Sequence, residues 1–308
     1  MSQTLLTLFS APKPFTNPHI ADIQYNAILS WVNLGSDVKV VLIGQEEGLP
    51  EAAAYFNVQQ LKGVQRNAAG TPLISSMFKL ARSVTNSPYL GIINTDIIVL
   101  PDVVKSLYVI KEYFSQFVMA GQRWNLNVQE KLEYSDQFYS QVKEMVSQKG
   151  VRHTLMGSDY FIFPRECYVD VPEFAIGRAG WDNWMIFKSR WEGWPVVDAS
   201  QDATVIHQTH DYSHLVNGQP HYRLPETKVN VLLAGGEHTI FTMWDANYLL
   251  KNGKVSKQKK DWKRFWRMVE IFPLVHLHSH AIGKFFYAIF HPQKTYVSIR
   301  AWLKRALR

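Results

Sequence analysis

A chain of 308 residues, 46% hydrophobic and 19% charged, can bury the core of one large α/β domain or two smaller ones, and its composition excludes a disordered or fibrous polymer. Its single cysteine, Cys167, excludes an internal disulfide framework and a cysteine-based zinc site, and suits a reducing compartment. The net charge of +7 is uneven: residues 251–308 hold 14 Lys/Arg against two acids, leaving 19 Lys/Arg against 24 Asp/Glu in residues 1–250, so only the tail is basic.

Thr4–Phe9 predicts a first strand, followed by the loop Ser10–Pro14. The opening MSQTLLTLFSAPKPF lacks the charged segment and small-residue cleavage site of a secretory leader. Ile20, Ile23, Ala27 and Leu34 mark a helix that Gly35 stops, and Val38–Ile43 is the next strand. Helices are expected over Glu51–Phe56 and, after Gly70-Thr71-Pro72, over Leu73–Val84. Tyr89–Leu100 reads as one long strand, an apolar run interrupted by Asn94-Thr95-Asp96 and stopped by Pro101. Such a run is buried on both faces in a parallel sheet. A helix over Val103–Phe117, a strand over Phe117–Gly121 and a polar helix over Tyr134–Gln148 come next. Gly157-Ser158-Asp159 then leads into a strand over Tyr160–Phe163. The cluster FAIGRAGWDNW (Phe174–Trp184) precedes a final core strand, Pro195–Asp198. Strands alternating with helices predict an α/β, Rossmann-like, mostly parallel central sheet flanked by helices, with ligands at the carboxyl ends of its strands. The expected division is a domain over residues 1–245 and a basic helical extension over 246–308.

Three groups of residues carry chemistry. An aspartate inside a buried strand is costly unless its charge is paired or bound to metal, so Asp96 is read either as a metal carboxylate or as a cap on a neighbouring loop. Asn94, two residues away, would leave an extended strand on the same face, and paired oxygen donors of this kind suit Mg²⁺ or Mn²⁺ beside phosphates. Asp182, framed by Trp181 and Trp184, is a candidate general base; its other reading is the cap of a helix starting at Asn183. HQTHDYSH places His207, His210, Asp211 and His214 in eight residues, without the glutamate of the helical metalloprotease motif.

Taken together, TLFSAPKPF, INTDIIVLPD, GWDNW and IHQTHDYSH resemble the nucleotide-sugar-dependent glycosyltransferases of the GT-A type (family 2-like), over roughly residues 4–215. INTDIIVLPD stands in the place of that family's Asp-x-Asp motif, with Asn94 where the first carboxylate belongs. The resemblance implies sugar transfer from a nucleoside-diphosphate sugar to a hydroxyl of a glycan, polysaccharide or lipid-linked acceptor. Asp96 would hold Mn²⁺ or Mg²⁺, with His207 as a further ligand and Asp182 as the base. Ser10, Ala11, Arg66, Thr71, Asn94, Thr95 and Arg178 would meet the donor. Ser158, Asp159, Trp181, Asn183 and His210 would line the sugar or acceptor pocket. A nucleotidyltransferase is an alternative, although Ser10–Phe15 holds one lysine and no glycine; a non-catalytic carbohydrate-binding protein on the same scaffold is another.

In the tail, Trp262, Phe265, Trp266 and Val269 fall on one helical face with Lys260, Lys263, Arg264 and Arg267 opposite, in a helix expected to stop at Pro273. Ile299, Trp302, Leu303 and Ala306 repeat the pattern. Such helices lie on an anionic bilayer, so residues 259–308 suggest a cytoplasmic protein held at the inner face of the plasma membrane. Packing of the same stripes on the domain or on a second subunit is the competing reading. Nucleic acid is not expected, because no reading motif accompanies the charge. Ile271–Phe290 is broken by Pro273, three histidines and Lys284, which makes it a poor membrane span.

Overall fold

The computed structural model describes residues 4–210, 224–297 and 300. The chain opens with β1 (Leu6–Ser10), α1 (Pro18–Val32), β2 (Val38–Ile43), α2 (Leu49–Tyr55), β3 (Gln59–Leu61) and α3 (Ile74–Ser83). Next come β4 (Tyr89–Ile93), β5 (Ile97–Val99), α4 (Asp102–Ile110), β6 (Val118–Ala120), β7 (Trp124–Leu126), α5 (Phe138–Lys149), β8 (Val151–Arg152) and β9 (Tyr160–Pro164). It continues through α6 (Trp181–Trp191), β10 (Val196–Asp198), β11 (Val205–Gln208), α7 (Pro225–Leu233), β12 (Tyr248–Lys251), β13 (Lys254–Lys257), α8 (Trp262–Val275) and α9 (His280–Phe290).

A nine-stranded sheet runs β13-β12-β10-β6-β9-β4-β1-β2-β3. Its β1–β2, β1–β4, β2–β3, β6–β10 and β10–β12 pairs are parallel; β9 runs antiparallel between β4 and β6, and β13 antiparallel to β12. Alternate strand residues feed two cores. Leu6, Leu8, Val40 and Leu42 join α1 residues Ala27, Ile28 and Trp31 on one face, while Phe9, Val41, Ile43 and Ile92 meet α3 and α6 on the other. Burial on both faces is why these strands are apolar without alternation. The sheet continues past residue 245, because β12 pairs with β10. Pro195–Asp198, expected to be the last strand, is therefore followed by three more.

The expected single strand Tyr89–Leu100 is two strands. β4 ends at Ile93, the chain turns through Asn94–Asp96, and β5 joins a second sheet of order β5-β11-β7-β8. Long-range bonds make the break. Ser10 Oγ donates to the Ile93 carbonyl at 2.5 Å and lies 3.0 Å from Thr95 Oγ1, and the Asn94 amide donates to the Asp159 carbonyl. The Ile97 amide closes the turn on Asn94 O at 3.2 Å. Asn94 and Asp96 therefore do not share a strand face. Asn94 turns to Asp159 and Asp96 to the histidines of the β11 end.

Two boundaries also differ from expectation. α6 starts at Trp181 with Gly180 (φ 112°) as its cap, so Asp182 lies inside the first turn. Pro273 lies inside α8, two residues from its end, where its missing N–H costs at most one helical bond. The second amphipathic stripe of the tail, with Asp211 and His214, falls outside the described residues.

α8 is locked to the domain by a buried ion network. Arg267 donates to both carboxylate oxygens of Asp245 at 2.7 and 3.1 Å and to Glu270 Oε1 at 2.8 Å, with Asp245 and Glu270 both buried. Burial alone would lower the Arg267 pKa, but the two carboxylates outweigh it and raise it. Arg267→Met leaves both acids buried without their main partner and is expected to cost about 3 kcal/mol. A urea unfolding midpoint within error of the wild type would contradict this.

Candidate active site

The turn between β4 and β5 and the end of β11 converge where β1 and β4 finish. β11 runs antiparallel to β5, with His207 opposite Ile97, and Gln208 N donates to the Asp96 carbonyl. That register carries two imidazoles to one carboxylate. His210 Nε2 lies 3.1 Å and His207 Nε2 3.6 Å from Asp96 Oδ2. All three side chains are largely buried, with 18%, 15% and 8% of the Asp96, His207 and His210 side chains exposed. Burial pushes the Asp96 carboxyl up, but the bonds to His207 and His210, with the charge of Lys13, hold it well below the usual carboxylate range. Asp96 Oδ1 and His207 Nδ1 are buried with no hydrogen-bond partner among the described residues. Each of the three residues offers a ligand atom within 4.8 Å of the others. One carboxylate and two imidazoles, with a ligating oxygen left unpartnered, fit a divalent cation.

Cations surround the triad. Lys13, from the loop after β1, is close enough to feel both Asp96 and Arg178. Burial lowers the Lys13 pKa, Asp96 raises it and Arg178 lowers it further. The Lys13 backbone is fixed by Gln24 of α1, which accepts from its amide at 2.6 Å and donates to its carbonyl at 3.0 Å. Arg178 donates from Nε to Glu226 Oε2 at 2.7 Å, and Glu226 also takes a bond from Asn67 at 2.6 Å. Burial raises the Glu226 pKa, but bonds from Asn67, Thr71 and Arg178 outweigh it.

A second pair of carboxylates lies nearby. Asp159 accepts from Arg123 Nη1 on both oxygens at 2.6 Å and from Asn94 Nδ2 at 3.0 Å. Asp182 accepts from the Gly180 amide at 3.2 Å. Burial pushes the Asp182 carboxyl up to about 6, helped by the charge of Asp159 and opposed by backbone N–H groups of the helix start. A carboxylate with that pKa can take a proton near neutral pH.

The other expected residues are held by bonds and packing of their own. Buried Ser10 and Thr95 hold the β4–β5 turn, and Ala11 packs against the core. Arg66 pairs with Glu46 at 2.6 Å and with the Gly70 carbonyl, beside Thr71, whose amide donates to Asn67. Ser158 donates to the Gly121 carbonyl. Asn183 donates to the Phe241 carbonyl. Trp181, 4% exposed, stands edge-on to Phe161, and Trp184 packs on Phe174 and Tyr168, so both indoles belong to the core under Asp182.

Sequence reasoning did not single out Lys13, Arg123, His153 or Glu226. Lys13 and Arg123 follow directly after strands β1 and β6, at the sheet edge where α/β ligands bind, and that position was the available signal. His153, which feels Arg123, Asp159 and His207, carries no such mark.

No family model and no curated protein matches the chain. Among solved structures, the mannosyltransferase PcManGT from Pyrobaculum calidifontis, in complex with GDP-Man and Mn²⁺, is similar at TM-score 0.44 and 9% identity, over 69% of this chain and 59% of that one. S. aureus TarS 1–349 is similar at TM-score 0.40 and 10% identity, over 67% and 58%. Its complex with UDP-GlcNAc is similar at 0.44 and 9%, over 69% and 61%. The chain spans less than two thirds of the length of each. At this distance, what the site can do is read from its own side chains.

Proposed function

We propose that the protein is a metal-assisted GT-A type glycosyltransferase that moves a sugar from a nucleoside diphosphate to a hydroxyl of a glycan or lipid-linked acceptor. The observation that carries this is the Asp96–His207–His210 triad, with an unpartnered ligand oxygen, set beside Lys13 and Arg178 at the carboxyl edge of the sheet. Asp96, His207 and His210 would hold the cation; two imidazoles beside one carboxylate favour Mn²⁺ over Mg²⁺, which prefers oxygen. A cation bound there would offset charge on the departing diphosphate. Lys13 and Arg178 supply fixed positive charge to the phosphates, with Arg178 oriented by Glu226.

Asp182 takes the acceptor proton. The acceptor oxygen forms a bond to the anomeric carbon as the sugar–phosphate bond breaks, its electron pair leaves with the diphosphate, and the hydroxyl proton passes to an Asp182 oxygen. Arg66, Thr71 and Asn94 face the donor side, while Ser10, Ala11 and Thr95 support from beneath the turn that carries Asp96. Ser158, Asp159 and Asn183 stand on the acceptor side, and buried Trp181 supports Asp182 from the core. The lone buried Cys167 suits a cytoplasmic setting. None of the described helices is long and apolar enough to cross a membrane.

A panel of nucleotide sugars assayed with Mn²⁺ tests this reading. One donor is expected to turn over slowly to nucleoside diphosphate and free sugar, and at 100 times its dissociation constant to add about 2.7 kcal/mol of stability. Release of pyrophosphate from a nucleoside triphosphate supplied with a sugar phosphate, with no nucleotide sugar turned over, would instead mark a nucleotidyltransferase. Stabilisation by sugars alone, without turnover of any donor, would mark a carbohydrate-binding protein.

A further inference from the structure

The C-terminal helices present an apolar surface that the described residues do not cover. α9 has eleven residues, one charge (Lys284) and one buried residue, Gly283, which sits so close to Leu274 of α8 that a Cβ there would lie 2.6 Å from Leu274 Cδ2. Its Phe285 and Ile289 are 63% and 57% exposed. α8 likewise exposes Trp262 (71%), Phe265 and Trp266, while Ile271 and Leu274 go to the core.

The inward side of this hairpin is fastened by polar contacts. Besides the Arg267 network, His291 meets Glu270 at 2.9 Å, Tyr287 donates to Glu237 at 2.8 Å, and His238 and His280 lie 3.0 Å apart. The pair is therefore held in one orientation with its outer side bare.

The segment that carries this side is rich in exposed cations. Lys257, Lys259, Lys260, Lys263, Lys284 and Lys294 are all exposed. Against them stand two acids in residues 251–308: exposed Asp261, which caps α8 by accepting from the Arg264 amide, and Glu270, which is buried. A second copy docked here would bring two lysine-rich segments together. An anionic surface complements both these cations and the aromatic face.

The surface also leads toward Asp182. α7 exposes Val229, Leu232 and Leu233, and after it Gly235 lies beside His280 at the start of α9, where a Cβ would be 3.4 Å from His280 Cε1. In the same helix Asn230 clamps the loop before α6, exchanging bonds with Ala175 at 2.9 Å, and Gly180 packs against Asn230 and Val231.

We propose that α7, α8 and α9 form a docking face for an anionic bilayer, with α9 lying in the plane of the interface. An eleven-residue helix is about 16 Å long and cannot span a hydrocarbon core of about 30 Å. The face stands independently of the transferase reading. Its consequence rests on that reading: the acceptor hydroxyl is carried by a lipid, delivered along α7 to Asp182.

The test is co-sedimentation of the full chain with phosphatidylcholine vesicles and with vesicles containing phosphatidylglycerol, with donor hydrolysis in solution measured in parallel. The wild type pellets with the anionic vesicles only, and less so at high salt. Trp262→Ser/Phe265→Ser/Phe285→Ser lowers partitioning at least tenfold, and Lys259→Glu/Lys260→Glu/Lys263→Glu lowers it about fivefold or more per cation. Neither changes donor hydrolysis. In the unmodified protein, brominated phosphatidylglycerol quenches tryptophan fluorescence. Absence of both pelleting and quenching would overturn the proposal. So would a lipid-free dimer abolished by the aromatic substitutions, which would assign the face to a second copy. Wild-type protein that hydrolyses a donor but binds no vesicles refutes the docking face alone, and wild-type protein that binds anionic vesicles but hydrolyses no donor refutes the transferase reading alone.

Discussion

Asp182→Asn is expected to lower the transfer rate by about 10³-fold while leaving donor affinity within a factor of a few, because a positioned base contributes on that order and the amide cannot accept the proton. Asparagine keeps an oxygen for the Gly180 amide and fits the first turn of α6, so the fold persists. The wild-type pH profile carries the sign. With its carboxyl pushed up to about 6, Asp182 is protonated and inactive below that pH, and the rate rises through about 6 to a plateau. The variant's residual rate is flat there. The same shift affects stability. The native state binds this proton more tightly than the unfolded chain, so the contribution of Asp182 to stability falls as pH rises from the usual carboxylate range to about 6. At pH 7 the asparagine variant should be more stable, on the order of 2 kcal/mol, by removing a desolvated charge. A variant that is both fully active and no more stable would dismiss Asp182 as the base.

Asp96→Ala is the second large effect, and it differs in kind. It removes the one carboxylate of the triad and leaves His207 and His210 facing each other. Both donor binding and turnover should collapse, with a loss of about 10³-fold or more in kcat/KM, because electrostatic stabilisation of a leaving group is usually the largest catalytic contribution. Donor no longer raises the melting temperature in the presence of Mn²⁺. Asp182→Asn keeps that thermal shift, so the pair separates gripping the donor from taking the proton. Unaltered donor-dependent stabilisation in Asp96→Ala would place the diphosphate elsewhere.

Local patterns made much of the sheet legible. Val38–Ile43 is legible to the residue because Val40–Ile43 is a continuous apolar run buried on both faces. Asp96 stood out for the opposite reason, as an acid within such a run. The break between β4 and β5 was hidden, because it is made by Ser10 and Asp159, 83 and 65 residues from their partners. Burial of Trp181 was equally hidden: an indole beside a polar motif looks like a stacking surface until Phe161 is placed against it. Arg178 is expected from the sequence to meet the donor, but its partner, Glu226, lies 48 residues on, in a helix that no motif ties to the site. His207 and His210 were conspicuous by density. Only the β5–β11 register shows that they meet Asp96.

Titration of the apo protein with Mn²⁺, followed by electron paramagnetic resonance with and without a nucleoside diphosphate, addresses the triad itself. The expected result is one bound Mn²⁺ per chain, held more tightly when the diphosphate is present and lost in Asp96→Ala. No stoichiometric binding, or binding that neither the diphosphate nor the substitution alters, would contradict a cation site at Asp96, His207 and His210.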